Sequence, residues 1–242
     1  MNDLIDLYII DAGNSRVKFG KCKNGELINL KYLNDITLLR KQIKENIPIA
    51  VSSVLNSQFK KQIEELNNPI FWINHKVKLP FKINYSSPNS LGIDRICNVA
   101  AMSKFNNFSP RLSIDIGTCV KFDFLNSKNE YEGGSISPGL NLRFKALNLF
   151  TQKLPLTAAV LHPNLIGNSS ETSIQSGVIN GMQSEINGLI KAYKEKFSDL
   201  SIFITGGDAH YFELEQKNSI FAENFLTLKG IIQIYHLNEK SS

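Results

Sequence analysis

Apolar positions along the chain alternate between two periods, and the points where the period changes mark the elements. Leu7, Tyr8, Ile9 and Ile10 form a continuous, β-rich apolar run that ends at Asp11 and the turn formers Ala12-Gly13-Asn14-Ser15. Val17, Phe19 and Lys21 resume at alternating spacing, which predicts a strand, a Gly-Asn turn and a returning strand. A third strand is predicted over 27–33, a helix over 37–46, a buried strand over 49–54, a helix over 57–66 and a short strand over 69–73. Residues 74–89, rich in Pro and Asn, predict a loop or irregular strand. Ile93, Ile96, Cys97, Ala100 and Ala101 recur at helical spacing, with Phe105 extending the stripe, so a helix is expected from about Asn89 or Ser90.

Asn106-Asn107-Phe108-Ser109-Pro110 breaks that stripe and predicts a boundary between halves 1–109 and 110–242. The second half then restarts the plan of the first. A strand over 112–116 runs into Gly117-Thr118, and a returning strand covers 120–125. Gly133-Gly134-Ser135-Ile136-Ser137-Pro138-Gly139 reads as a tight connector, or as backbone shaped to meet a substrate or a partner subunit; Arg143 follows on a helix. The longest amphipathic segment is 174–197, with Ile174, Val178, Met182, Ile186, Leu189, Ile190 and Tyr193 as its stripe. Gly177, Gly181 and Gly188 interrupt it, and close packing of helix on helix is the expected compensation. A buried strand over 200–205 ends in Gly206-Gly207-Asp208-Ala209, and 225–235 predicts a closing helix.

Composition narrows the class. A chain of 242 residues can bury one large core or two modest ones. Its formal charge of +5 reflects lysines interspersed with acids, as at 191–196, rather than a basic block, and no aromatic RNA-reading motif or zinc-finger spacing accompanies them. Nucleic acid is therefore not an expected partner. Cys22, Cys97 and Cys119 are odd in number and widely spaced, which argues against a disulfide framework or a structural zinc and for a reducing compartment. Asp3 and Asp6 stand where an export signal would carry positive charge, and no apolar run approaches the roughly 20 residues of a membrane helix, so a cytoplasmic protein is expected. His75, His162, His210 and His236 have no partner at helical spacing and are read as surface or packing histidines.

The chemistry concentrates at three glycine turns that follow buried strands: Asp11-Ala-Gly-Asn-Ser15, Asp115-Ile-Gly-Thr118 and Thr205-Gly-Gly-Asp208. Glycine lets backbone approach a bound group, turn amides can point at phosphate oxygens, and a carboxylate at a strand end can hold a cation. Each turn alone could be an ordinary hairpin; two matching turns and a third of the same kind make a phosphate site the better reading. Neither a Walker A loop nor a Rossmann fingerprint is present. Asp94, in the first turn of its helix, could be a carboxylate favoured by the helix dipole or a base for a substrate hydroxyl, and Arg95 beside it could bind an anion.

Six stretches, in order, carry a resemblance: DAGNSRVK (11–18), YSSPNSLGIDR (85–95), DIGT (115–118), GGSISPG (133–139), IQSG (174–177) and TGGDA (205–209). The chain resembles type III pantothenate kinases of the actin/hexokinase/Hsp70-like ATPase superfamily over nearly its full length. LGIDR and GGSISPG are the most selective of the six. The resemblance implies an α/β protein of two ribonuclease-H-like domains, with mixed sheets flanked by helices and the active site in the cleft between them. It implies a homodimer using ATP and pantothenate, with Mg²⁺ and a monovalent cation, K⁺ or NH₄⁺. By the same resemblance, Asp11, Ala12, Gly13, Asn14, Ser15, Arg16, Val17 and Lys18 would bind ATP phosphates, Asp11 also helping to hold Mg²⁺. Thr118, Gly206 and Gly207 would contact the nucleotide, and Asp115 the monovalent cation. Tyr85, Gly92, Ile93, Asp94 and Arg95 would contact pantothenate, with Asp94 as the base. The family's substrate-contacting Thr is replaced here by Ser170, with Thr172 as the other candidate, and Cys119 stands where Ala is common after DIGT. Two other readings stay open: a kinase or phosphohydrolase of the same fold acting on a sugar or polyphosphate, and a non-enzymatic regulatory accessory factor, which would not need an intact Asp94.

Overall fold

The computed structural model describes residues 6–33, 36–105, 109–214 and 220–239. Its contacts divide the chain into two compact units, Met1–Asn107 with Asn129–Glu132 and Phe225–Ser242, and Phe108–Lys128 with Gly133–Asn224. The division departs from a single cut at 109/110 because the last helix, α5 (Leu226–Glu239), packs on the first unit's α2 (Ile93–Ser103).

In the first unit, strands β1 (Leu7–Ala12), β2 (Val17–Lys23), β3 (Glu26–Leu33), β4 (Ile49–Ser53) and β5 (Ile70–Trp72) form a sheet ordered β3-β2-β1-β4-β5. β1 runs antiparallel to β2 and parallel to β4. Burial on both faces explains why Leu7 to Ile10 is continuous rather than alternating: all four are fully enclosed. The edge strand β3 reads mostly exposed. Helix α1 (Ser57–Glu64) starts where the Asn56 side chain accepts from the Phe59 N–H and buries Phe59 and Ile63 against the sheet core. The helix expected over 37–46 is a 3₁₀ turn, Ile36–Lys41, stopped well before Asn46, whose φ of 65° is left-handed. The region 74–89 is irregular apart from the two-residue strand β6 (Lys82–Ile83), which pairs in parallel with Glu130 and Tyr131, and a 3₁₀ turn, Pro88–Ser90, which occupies the expected helix start at Asn89 or Ser90, so that α2 begins only at Ile93. On α2 the stripe is broader than the sequence suggested, since every residue from Arg95 to Ser103 is buried, and the helix ends before Phe105, which is exposed.

The second unit contains β7 (Arg111–Ile116), β8 (Cys119–Leu125), β9 (Glu130–Pro138, entering at Gly133), β10 (Ser201–Thr205) and β11 (Ile220–Ala222), ordered β11-β10-β7-β8-β9. β7 and β8 form the antiparallel hairpin the repeat predicted; β10 runs parallel to β7. The Gly-rich stretch 133–139 is mostly strand rather than connector. A Cβ on Gly134 would collide with the Phe122 carbonyl of β8, so glycine here permits the close approach of the two strands. Helix α3 (Leu140–Leu149) follows, then an irregular stretch to α4 (Ser170–Lys196). α4 buries Ile174, Val178, Met182, Ile186 and Ile190 over the sheet. Among the described residues, nothing outside the helix's own neighbouring backbone lies within 4 Å of a Cβ built on Gly177, Gly181 or Gly188, so no other element of this chain packs closely on these glycines.

Gly230 behaves oppositely. A Cβ there would strike the backbone of Cys97, so α5 lies directly on α2. Gly230→Ala is expected to lower stability by roughly 2 kcal/mol or more, through overpacking. Gly177→Ala should raise it by up to about 1 kcal/mol, through helix propensity. Urea denaturation of both variants checks the contrast.

Candidate active site

In the first unit the glycine turn closes the β1–β2 hairpin. Ala12 faces Val17, and the Gly13 N–H donates to the Arg16 carbonyl at 3.1 Å. Asn14, Ser15 and Arg16 project from the tip. Together with Gly13, Val17, Tyr32, Leu33 and Leu55 they line a cavity of about 630 Å³. The Arg16 guanidinium sits 5.6 Å above the Tyr32 ring, which holds a cation at the cavity wall. Just below, Asp11 is 7% exposed and lies directly across the hairpin from Lys18, whose Nζ is 3.1 Å from Asp11 Oδ2.

Asp94 stands in the first turn of α2, half-buried, where the exposed amides of a helix start favour an anion. Its Oδ1 accepts from the Arg95 N–H at 2.9 Å. Gly92 caps the helix, and a Cβ there would come within 2.6 Å of Asp94 Oδ1, so a larger residue would make the carboxylate shift from this position. Ile93 is half-buried beside it. Arg95 is 6% exposed, and its guanidinium lies 5.9 Å from the Tyr131 ring centre. Tyr131 in turn packs against Tyr85 at 5.8 Å, so Tyr85 and Arg95 share one aromatic wall.

The Cys97 thiol reports how the two carboxylates are related. Its pKa is pushed well above the ordinary thiol value, first by complete burial and then by the Asp11 carboxylate, with the nearby Ser52 hydroxyl opposing the rise and Asp94 adding to it. Ser52 is the β4 residue in register with Asp11. Asp11 and Asp94 therefore lie within electrostatic reach of one buried group, although 83 positions of chain do not make that visible in the sequence.

In the second unit three motifs meet backbone to backbone. Gly206, at φ 106°, lies so close to Ile116 that a Cβ would collide with it, and the Asp208 N–H donates to the Ile116 carbonyl at 3.0 Å. A Cβ on Gly139 would collide with the Gly117 and Thr118 backbone, and the Gly139 N–H donates to the Thr118 carbonyl at 3.1 Å. The DIGT turn is thus held between the SPG and TGG turns, with Thr118 and Gly207 exposed. Asp115 is in register with Lys121, whose Nζ lies 2.7 Å from Asp115 Oδ2. Among the described residues, no cluster of three or more His, Cys, Asp or Glu is placed to hold a metal.

Ser170 is exposed at the first position of α4, while Thr172 is committed to the helix start. Ser169 accepts from the Thr172 N–H, and Thr172 Oγ1 accepts from the Asn168 and Ser169 amides. This capping box leaves Ser170 as the hydroxyl that is not absorbed in it.

The sequence reading missed Lys121, Glu185 and Tyr131. Lys121 had a signal: like Lys18 after Asp11, it is a lysine on the strand returning from an aspartate and a glycine turn, though six residues on rather than seven. Glu185 binds both Ser137 Oγ and the Arg143 guanidinium, tying α4 to the end of β9; nothing local in the sequence marks it.

A family model described as type III pantothenate kinase matches residues 7–192. The chain is 38% identical over 239 residues to a type III pantothenate kinase of Phocaeicola vulgatus, covering 96% of this chain and 98% of that one. It is 39% identical over 233 residues to one of Cytophaga hutchinsonii, with 95% and 98% covered. The chain belongs to the type III pantothenate kinase family. Among solved structures, a Campylobacter jejuni chain whose description names the Baf family superposes with a TM-score of 0.62 at 21% identity, covering 96% of this chain and 99% of that one. A Listeria monocytogenes protein whose description names N-acetylmannosamine kinase gives 0.50 at 14%, covering 98% and 99%. Both speak to the fold, two mixed sheets flanked by helices in the actin-like ATPase manner.

Burial makes the thiols poor nucleophiles. Cys22 is raised from an ordinary 9.0 to about 11, by burial first and then by the Asp6 carboxylate, and Cys97 moves the same way. Between pH 9 and 11 the unfolded chain releases the Cys22 proton while the folded chain keeps it, so that thiol's contribution to stability is complete below pH 9 and lost as pH rises. The urea midpoint should fall over that window, less so in Cys22→Ala, and thiol titration of the native protein at pH 8 should modify Cys119 alone.

Proposed function

We propose that this protein transfers the γ-phosphoryl group of ATP to the primary hydroxyl of pantothenate, giving 4′-phosphopantothenate and ADP, the first step towards coenzyme A. The observation that carries this reading is the placement of Asp94. It is a carboxylate at the start of a helix, given space by Gly92, beside a buried Arg95 stacked on an aromatic wall, within reach of the same buried thiol as Asp11.

Phosphoryl transfer asks the protein mainly to align groups and to neutralise charge. In the first unit, Asp11 to Lys18 would hold phosphates: the tip amides and Ser15 donate hydrogen bonds, and Arg16 and Lys18 supply positive charge. Asp11, whose Oδ2 already meets Lys18 Nζ at 3.1 Å, would help to hold Mg²⁺ through water or phosphate rather than by direct contact, and the ion when bound would neutralise phosphate charge. In the second unit, Thr118, Gly206 and Gly207 would contact the nucleotide, the glycines presenting backbone to it. Arg95 is suited to pantothenate's carboxylate, because a guanidinium already held over a ring gives up little freedom on binding an anion. Tyr85 would wall the same site, Gly92 and Ile93 would line it, and Ser170 would donate a further hydrogen bond. Asp94 would take the proton from the hydroxyl as its oxygen attacks phosphorus.

The three free cysteines suit a reducing compartment, and we place the reaction in the cytoplasm. No helix among the described residues is long and apolar enough to cross a membrane. The second unit also exposes Phe150 and Ile166, at 82% and 83%, with Leu149 and Leu165 beside them, and the open faces of Gly177, Gly181 and Gly188. Such a surface is suited to a second copy of the chain, and we propose a homodimer that uses it.

A coupled assay with ATP, Mg²⁺ and pantothenate should show turnover in the wild type. Asp94→Asn should reduce kcat about 10²- to 10⁴-fold with little change in melting temperature. Arg95→Lys should raise KM for pantothenate more than it lowers kcat. Absence of wild-type activity under every salt condition would remove the kinase reading, and an unchanged Asp94→Asn rate would remove only the base. Light scattering should give the mass of two 27.2 kDa chains, falling to one in a Phe150→Glu, Ile166→Glu double variant.

A further inference from the structure

The two hairpins repeat more than their glycine turns. In each, the aspartate at the end of the outgoing strand stands directly opposite a lysine on the returning strand: Asp11 opposite Lys18, Asp115 opposite Lys121. Directly opposed residues put their Cβ atoms on the same face of the sheet, so each ammonium is delivered to its carboxylate by register. The second pair is the tighter. Lys121 Nζ lies 2.7 Å from Asp115 Oδ2, against 3.1 Å in the first. Its lysine and aspartate side chains are 15% and 14% exposed, against 27% for Lys18 and 10% for Asp11, so the difference in exposure lies in the lysine. A charge-assisted contact of this length, largely withdrawn from water, is not easily exchanged.

The resemblance implies K⁺ or NH₄⁺ at Asp115. The residues present do not fit a free cation there, because a positive charge already sits on that carboxylate. An incoming K⁺ or NH₄⁺ would have to share Asp115 with a neighbouring ammonium, and like charges at that range repel in a partly desolvated site. The side-chain ammonium is chemically an ammonium ion: one positive charge with N–H donors for surrounding oxygens. Tethered to β8, it needs no capture from solution.

We infer that Lys121 is a built-in replacement for the monovalent cation at Asp115, and that this enzyme therefore works without K⁺ or NH₄⁺. The inference rests on the kinase reading for its rate measurements but not for its binding measurement. Initial rates in KCl, NH₄Cl, NaCl and choline chloride at equal ionic strength are expected to agree within about twofold for the wild type. Lys121→Met keeps the length of the chain and removes its charge. It should lose at least tenfold in choline or Na⁺ and regain most of that in K⁺ or NH₄⁺. Thallium-205 NMR with Tl⁺ alone, a spectroscopic stand-in for K⁺, should show no saturable site in the wild type. Lys121→Met should gain a site, which a Lys121→Met, Asp115→Asn double variant should abolish.

Stimulation of the wild type tenfold or more by K⁺ over choline would overturn the inference. So would saturable Tl⁺ binding in the wild type that Asp115→Asn removes. If Lys121→Met does not fold, the wild-type salt series and Tl⁺ titration decide the question by themselves. If no salt supports turnover, the kinase reading fails while the Tl⁺ titration still decides the occupancy of Asp115.

Discussion

Among the described residues, backbone meets backbone without an intervening side chain at several glycines, and the rest of the structure depends on that closeness. Gly206 lies on Ile116, Gly139 on the Gly117-Thr118 turn, Gly134 on Phe122 and Gly230 on Cys97; a methyl group at any of them would collide with main chain. The first two set the DIGT turn between its neighbours, leaving Thr118 and Gly207 exposed. The last presses α5 onto α2, the helix that begins at Asp94. A flexible side chain can move aside, but a peptide group held in a sheet or helix cannot, so these contacts set positions rather than merely filling space.

On that frame the charges are arranged in pairs. Each hairpin aspartate ends a buried strand, where an isolated carboxylate would be costly, and each is met by a lysine from the returning strand. Asp94 is handled differently, by the N–H of Arg95 and the field of a helix start. The same residue type is therefore held in two ways, by an opposed lysine at the hairpins and by a helix start at Asp94. The thiol of Cys97 feels both kinds and is driven towards its neutral form, consistent with a packing role.

Membership of the type III pantothenate kinase family rests on matches spanning nearly all of the chain, whereas the actin-like fold is shared with structures of low identity. The fold alone would have left the substrate open, since one architecture serves many chemistries. What narrows it is the family match over residues 7–192 and the near full-length likeness to type III pantothenate kinases.

Much of this was legible in the residues themselves. Buried strands announce themselves by continuous apolar runs, hairpins by Gly-Asn or Gly-Thr, and α4 by its stripe, because these depend on local period and turn chemistry. Local signals overreached where tertiary contact decides. The stretch 133–139 reads as a connector by its glycines yet is mostly strand, since Gly134 serves β8 rather than a turn. The glycines of α4 suggest internal packing yet face outward. Thr172 and Ser170 look equivalent until the capping box takes one of them. What the sequence could determine alone was the kind of chemistry, because glycine turns and carboxylates carry it in their composition. Which lysine meets Asp115, which helix rests on Cys97 and which carboxylates share one neighbourhood were decided by strand register and helix packing. Those join residues far apart along the chain, and no local pattern encodes the pairing.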